Sequence, residues 1–398
     1  MDINTLETPC YIIDSDELNY NYESLYNAFS KHWKGVLGIG YSVKTNHLPW
    51  IMENMKQKGA YAEVVSSVEY QLAELIGFTP KQIIYNGPNK TLDTLERAVK
   101  MGSIVNIDTF PQIDFLGSFS RTTEIKVGLR VNFDLEEVCP NESSMGNEPS
   151  RFGFCTMNNS FKNALKRCEE LNITVCGLHM HQSSKTRSNK VFKALAEKVV
   201  TCIKQYDMKD QLEYIDIGGG FFGGRNSKKM PTFDDYAFTI CKTIKPYISE
   251  EKTQLIIEPG ASLIATPISY LSKVIDVKDI KNQRFVTIDG SNLHVNPFLV
   301  NRKHPYELYS KEVTYEPIQI VCGSTCMEND RLLYLKSSPS LKCGDIVKIK
   351  NCGSYTMCFN SFFINSPPPV YVKNNNEIEM VREACVPEKL MGLWKKTL

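Results

Sequence analysis

The sequence predicts an α/β fold: a (β/α)8 TIM-type barrel followed by an antiparallel β-domain, which a strand from the N-terminus completes. Three observations predict it. Eight apolar, β-branched runs of strand length recur through the first two-thirds of the chain. Most are separated by segments of helical period. After about Ala265, strand-like runs follow one another without helices between them.

In chain order, Tyr11-Ile12-Ile13 reads as a strand that belongs with the later β-domain. Leu18, Tyr22, Leu25 and Phe29 then form one apolar stripe, a helix that Ser15 or Asp16 can cap. The eight runs are 36–43, 61–65, 82–85, 104–107, 125–131, 174–180, 212–217 and 254–257. The clearest intervening helix carries Val191, Leu195, Val199 and Ile203 at intervals of four. An open doubly wound sheet is the rival arrangement, and a count of eight favours the closed barrel. Beyond the barrel, 272–277, 285–288, 318–321, 332–335 and 345–350 read as strands, with Asp279-Ile280-Lys281-Asn282 as a turn. Pro367-Pro368-Pro369 is a stiff edge or connection. The expected domains are a barrel over 15–265 and a β-domain built from 1–14 and 266–398.

Composition narrows the function. The chain has 398 residues, with 46 Lys and Arg against 45 Asp and Glu, a net charge of +1. That balance leaves no electrostatic footprint for nucleic acid or an anionic membrane. Thirteen cysteines, an odd number without a CxxC pair, read as reduced, small hydrophobes of a cytoplasmic protein. The first eight residues are polar and acidic, unlike a signal peptide, and no apolar run approaches the roughly 20 residues of a membrane span.

Barrel chemistry gathers at the C-terminal ends of the strands. The first run ends in Tyr41-Ser42-Val43-Lys44-Thr45-Asn46, the second contains Glu63, and the third ends in Asn86-Gly87-Pro88. The sixth ends in His179-Met180-His181 with Ser183 and Ser184 following, the seventh in Gly218-Gly219-Gly220, and the eighth in Glu258-Pro259-Gly260. Lys44 is either a solvated lysine closing a strand or an amine that condenses with a carbonyl. The three glycines, with Gly223, also match G-x-G-x-x-G. A dinucleotide site would place that motif after a first strand, with an acid some 20 residues on. Here it follows the seventh run, so a simple phosphate loop or a structural turn fits better. His179 and His181 alternate along a strand, as a packed ring and a ring contact or as a metal pair. Only six histidines exist, and the other four lie at 32, 47, 294 and 304, which argues against a metal site. Glu258 ends an apolar strand and needs a partner, a protonated pyridine nitrogen or a nearby cation. Composition does not distinguish Cys326 from the other cysteines.

In this order and spacing, from about Thr8 to Val372, these residues resemble the fold-type III pyridoxal-phosphate decarboxylases, the diaminopimelate/ornithine decarboxylase family. Tyr41–Asn46 is similar to that family's Y-A-x-K-A-N, and Gly59–Tyr70, with Ser66 and Glu69, to its second-strand segment. Asn86–Lys90 and Arg151-Phe152-Gly153 are further matches. The resemblance implies pyridoxal 5'-phosphate held by Lys44, with His181 stacked on its ring and Glu258 opposite its pyridine nitrogen. It implies that Ser184, Gly218, Gly219, Gly220 and Tyr355 hold the phosphate, Tyr355 within a G-A-Y-like Gly353-Ser354-Tyr355. Glu63, Gly260 and Ala261 fall at cofactor-lining positions. Cys326 matches a cysteine that reaches the active site from the partner chain, which implies a homodimer with shared sites and catalytic roles for Lys44 and Cys326.

Three departures bear on substrate. The family's E-P-G-R is here Glu258-Pro259-Gly260-Ala261. The arginine before a proline that reads a second carboxylate is Asn296, and the acid after the cysteine, which reads a distal amine, is Met327. An arginine fork is not simply replaced. Glu328 or Asp330 can stand in for the missing acid. Glu63 in place of the usual Asp, with G-P-x-K, resembles the branch acting on conjugated amino acids in siderophore and antibiotic assembly. The expectation is a decarboxylase for a modified, conjugated or carrier-tethered amino acid. The alternatives are a diaminopimelate, ornithine or lysine decarboxylase, a racemase of the same barrel, and a non-catalytic binding protein.

Overall fold

The computed structural model describes residues 6–224, 230–300, 303–375 and 377–392. The chain divides into two compact units, residues 21–262 and residues 1–20 with 263–398.

The larger unit is a closed parallel barrel. Strand β1 (Cys10–Asp14) lies in the other unit, and the barrel begins at β2 (Leu37–Ser42). It continues through β3 (Tyr61–Val64), β4 (Ile83–Tyr85), β5 (Ile104–Ile107) and β6 (Ile125–Asn132). A two-residue strand, β7 (Phe154–Cys155), pairs with the end of β6. The ring closes through β8 (Ile173–His179), β9 (Tyr214–Asp216) and β10 (Gln254–Ile257), with β10 pairing back to β2. Each of the eight runs read from the sequence overlaps one of these strands, six containing it whole and the runs 125–131 and 174–180 missing one end residue. Closure is possible because the strands are short, of three to eight residues. The strands are buried on both faces: Ile84, Tyr214 and Ile256 pack in one cluster, and Ile39, Ala62, Ile107, Leu129, Leu178 and Ile215 are buried as well.

The connecting helices follow from their apolar stripes. Helix Asn189–Gln205 buries Val191, Leu195, Val199 and Ile203, the stripe visible in the sequence. It also buries Phe192, whose ring lies 4.4 Å from Phe221 and 4.8 Å from Tyr236. Phe29 closes on Phe221 from helix Ser15–His32 at 5.8 Å. Helix Ser67–Leu75 starts at Ser66, whose hydroxyl accepts the Glu69 N–H at 3.2 Å while Glu69 accepts the Val65 N–H at 2.8 Å. That reciprocal capping sets where β3 ends and its helix begins.

The second unit is a largely antiparallel sheet. Its strands are β11 (Ile268–Ile280), β12 (Gln283–Ile288), β13 (Tyr306–Tyr309), β14 (Tyr315–Cys322), β15 (Arg331–Pro339), β16 (Ile346–Ile349), β17 (Val370–Asn374) and β18 (Glu377–Arg382). They run in the order β15-β14-β12-β11-β1-β17-β18, with β16 and β13 branching from β11. β1 belongs to this sheet, as its sequence suggests, but it pairs parallel to β17 and antiparallel to β11. β12 and β14 are also parallel, so the expected antiparallel domain carries two parallel pairings. β11 is longer than the expected 272–277, a 13-residue strand with a bulge between Val274 and Asp276. The bulge lets one strand serve both ends of a twisted sheet. The tight turn to β12 is Lys281-Asn282, with Lys281 at φ +55°.

Removing one ring of the aromatic cluster is the sharpest test of the packing. Phe192→Ala is expected to lower the unfolding free energy by about 3–5 kcal/mol in urea titrations, the usual cost of emptying a buried aromatic site.

Candidate active site

The site is built from the ends of six barrel strands. β2 runs directly into one turn of 3-10 helix, Val43–Thr45, which carries Lys44. The Lys44 Nζ donates to Glu63 Oε2 at 2.6 Å, and the Ser42 hydroxyl donates to the same oxygen at 2.6 Å. Glu63 itself, on β3, is buried, whereas Lys44 is 38% exposed. The lysine amine therefore stands at the barrel mouth, aimed by a carboxylate held from below.

Glu63 Oε1 accepts from the Asn86 side-chain amide at 3.0 Å, and that same nitrogen donates to Glu258 Oε1 at 2.5 Å. Glu258 follows β10 and is buried. Its other oxygen lies 3.4 Å from His179 Nε2. One oxygen of Asp216, one of Glu258 and one ring nitrogen of His179 all lie within 4.8 Å of one another. These are donor types that also serve metals, but here the two carboxyls divide one proton between them. Burial, then the Glu258 charge, raise Asp216 well above the ordinary carboxyl range. Burial alone would raise Glu258 too, but the charges of His179 and Lys44 and the hydrogen bonds of His179 and Asp216 outweigh it and hold Glu258 low. The directions favour Glu258 as the ionised member of the pair and Asp216 as the protonated one.

His181, one turn of backbone beyond β8, lies over the glycine loop. Its Nδ1 accepts the Gly219 N–H at 3.3 Å, so the ring proton sits on Nε2. Burial, with Arg130 and Lys44 nearby, lowers its pKa to about 3, and the ring is neutral at physiological pH. Gly218 and Gly220 have φ of +72° and +107°. A Cβ at Gly219 would stand 2.2 Å from the Glu258 carbonyl oxygen, and one at Gly218 would stand 2.7 Å from the His181 Cβ. Only glycine fits that close approach. Gly218 and Gly219 spend their N–H groups on Asp216 and His181. Gly220 lies beside Ser184, which is exposed, and among the described residues its N–H carries no hydrogen bond. Of the three glycines, Gly220 is the one left to meet a ligand's phosphate. Gly260 packs on Ser42 and Thr45, and Ala261 begins the short helix Ala261–Ile264.

The remaining expected residues lie in the other unit. Cys326 is exposed on the loop between β14 and β15, with Met327 half-buried next to it. Tyr355 sits at φ +56° and is 36% exposed. Asn296 is buried and donates to the Val300 carbonyl at 2.7 Å. Asp330 does not suit the role of a substrate reader. It is buried and accepts from Asn292 N, Ser291 Oγ and both donors of Thr325, so its carboxylate ties its own loop to residues 291–292.

Four residues of the site carried no assigned role in the sequence reading. Asp216 and His179 complete the Glu258 cluster, and Asn86 links it to Glu63. Arg130 donates to Asp108 at 3.1 Å and to the His181 carbonyl at 3.1 Å, with its guanidinium 4.5 Å over Phe152. Asp108 accepts the Gly153 N–H, which explains the Arg151-Phe152-Gly153 motif. The available signal was a charged residue inside an apolar strand, Leu-Arg-Val and Ile-Asp-Ile.

A barrel-mouth lysine, a neutral imidazole, a tight glycine loop and a buried anion together fit a planar, phosphorylated pyridine aldehyde. The arrangement defines a barrel enzyme of the pyridoxal-phosphate type, whose amine carrier is a strand-end lysine. The chain matches the family described as "Pyridoxal-dependent decarboxylase, pyridoxal binding domain" over residues 22–265, and it belongs to that family. It is a pyridoxal-phosphate-dependent amino-acid decarboxylase, a carboxy-lyase. It is similar to the probable chloroplastic diaminopimelate decarboxylase of Oryza sativa subsp. japonica, at 27% identity over 94% of this chain and 77% of that protein. The diaminopimelate decarboxylase of Zymomonas mobilis is also 27% identical, over 96% of this chain and 92% of its own length. The crystal structure of diaminopimelate decarboxylase from M. jannaschii shares the fold with a TM-score of 0.87, 22% identity and coverage of 99% and 92%. The same enzyme solved with L-lysine gives 0.86, again at 22% identity, over 97% of this chain and 92% of that one. These relatives correct the sequence reading at one point: they support the wider family and not its conjugated-amino-acid branch.

The depressed His181 value has a pH signature. Below pH 6.5 the unfolded chain takes up a proton that the folded ring refuses until about 3, so this contribution to stability is present above about pH 6.5 and fades as pH falls. His181→Asn is expected to flatten the loss of urea stability between pH 6.5 and 4. A steeper loss in the variant would contradict the neutral ring.

Proposed function

We propose that this enzyme removes the α-carboxylate of a diamino acid of the diaminopimelate class. The observation that carries the reading is the likeness along nearly the whole chain to proteins named diaminopimelate decarboxylase. The site chemistry agrees with the reaction. Bound pyridoxal phosphate supplies an electron sink for the electron pair left when the carboxylate departs as CO2. Lys44 is the amine that holds the cofactor, and Glu63 orients that amine. His181 offers a neutral face to the pyridine ring. Glu258, kept anionic, faces the ring nitrogen and favours its protonated form. Gly220 and Ser184 hold the phosphate. Cys326 of a second copy returns a proton to the α-carbon, which makes the working form a homodimer with two equivalent sites. Thirteen cysteines that all remain thiols suit a reducing compartment such as the cytoplasm.

A second reading rests on three side chains. Ala261, Asn296 and Met327 stand where the resemblance expects an arginine for phosphate or substrate, an arginine for a second carboxylate and an acid for a distal amine. Asn296 spends its amide on Val300. A substrate whose distal end is conjugated or tethered to a carrier needs none of these groups.

CO2 release from meso-diaminopimelate, L-lysine, ornithine, citrate conjugates and carrier-linked aminoacyl groups separates the readings. Turnover of diaminopimelate well above the rest supports the first. Turnover of a conjugate alone supports the second. Borohydride treatment of the coloured wild-type protein is expected to fix the cofactor to the peptide containing Lys44, and Lys44→Ala is expected to fix none. Cys326→Ala is expected to lose correct protonation of the product more than CO2 release. An unchanged rate and product would remove Cys326 from the mechanism.

A further inference from the structure

Four neighbouring strands place Asn106, Gly128, Gly177 and Tyr214 side by side in one row. Asn106 pairs with Gly128, Gly128 with Gly177, and Gly177 with Tyr214. A Cβ at Gly177 would stand 2.1 Å from Tyr214 Cζ. One at Gly128 would stand 2.2 Å from the Tyr214 hydroxyl and 2.3 Å from Asn106 Oδ1. The two glycines thus form a slot across two strands. Through it the phenol of β9 reaches the amide of β5, and Tyr214 donates to Asn106 Oδ1 at 2.8 Å.

From there the donors run one way. Asn106 Nδ2 donates to Asn86 Oδ1 at 2.8 Å. Asn86 Nδ2 then gives one hydrogen to Glu63 Oε1 and the other to Glu258 Oε1. All the members are buried. Each amide has one satisfying orientation, because the carboxylates at one end only accept and the phenol at the other donates. Burial raises the Tyr214 phenol well above 10, so it keeps its proton at every working pH.

We propose that Asn86 is a positioning residue of this active site: its amide couples the carboxylate that aims Lys44 to the carboxylate that faces the cofactor nitrogen, and Asn106 and Tyr214 set the direction in which it points. The inference rests on the reading that Lys44 and Glu258 face the cofactor. Without the amide, two buried carboxylate oxygens lose their shared donor. Glu63 then draws harder on the Lys44 ammonium, and Glu258 loses a support for its charge.

The test uses full-length protein stripped of cofactor, with pyridoxal phosphate as the probe and its covalent capture followed by absorbance across pH. Asn86→Ala is expected to slow capture at neutral pH about tenfold, in line with loss of a hydrogen bond to a charged group, and to move the pH midpoint of capture upward. The absorbance band of the bound cofactor is expected to move as well. Tyr214→Phe, remote from Lys44, is expected to move the same midpoint in the same direction by less. A merely structural role would lower thermal stability and leave both midpoint and band in place, and that result overturns the proposal. If Asn86→Ala does not fold, Tyr214→Phe decides alone, and an unshifted midpoint there overturns the relay. Failure of the wild-type protein to capture the probe on Lys44 would defeat the underlying reading. Capture on Lys44 with variants matching wild type would defeat the relay only.

Discussion

A buried negative charge with no direct Lys or Arg partner among the described residues is the constraint on which this site depends. Glu258 must stay ionised inside a closed barrel, where an isolated carboxylate takes up a proton instead. The barrel meets the cost locally. Asn86 donates to one oxygen, His179 lies 3.4 Å from the other, and Asp216 carries the proton that Glu258 does without. These groups come from four strand ends, so the charge is stable only when the ring has closed. Reaction chemistry and fold are thereby linked: a sheet left open at β10 would separate Glu258 from Glu63.

The strand-end residues keep the motifs of the family resemblance, and the expected substrate positions depart from them. In the proposed reading, Lys44, Glu63, His181, the glycine loop and Glu258 serve pyridoxal-phosphate chemistry. In the same reading, Ala261, Asn296 and Met327 stand where the resemblance expects an arginine for phosphate or substrate, an arginine for a substrate carboxylate and an acid for a distal amine. Asp330, the nearby acid, takes four hydrogen bonds, two from Thr325 of its own loop and two from Ser291 and Asn292. The electron sink acts at the α-carbon whatever the side chain carries, so one barrel can serve several amino acids through different reading residues.

Much of this was legible in the sequence, for physical reasons. Parallel strands buried on both faces must be continuously apolar, so all eight barrel strands stood out, and the chemistry fell at their ends. The edge strands were harder. β13 reads Tyr-Glu-Leu-Tyr and β18 reads Glu-Ile-Glu-Met-Val-Arg, and both are largely exposed, with no apolar run to mark them. The parallel pairing of β1 with β17 joins residues some 360 positions apart, which local pattern does not report. Within the site, Lys44 and the glycines were visible as motif. Asp216 and Asn86 were not assigned, because their roles arise from which strand ends become neighbours. The two glycines that admit Tyr214 are equally silent in sequence, since their meaning lies in the side chain they make room for.

Neutron diffraction from the deuterated holoenzyme tests the central claim most directly, because it locates the proton shared by the two buried carboxyls. A deuteron on Asp216 and none on Glu258 is the predicted result. A deuteron on Glu258, with Asp216 ionised, would contradict the account, because the carboxyl assigned to the cofactor nitrogen would then be neutral.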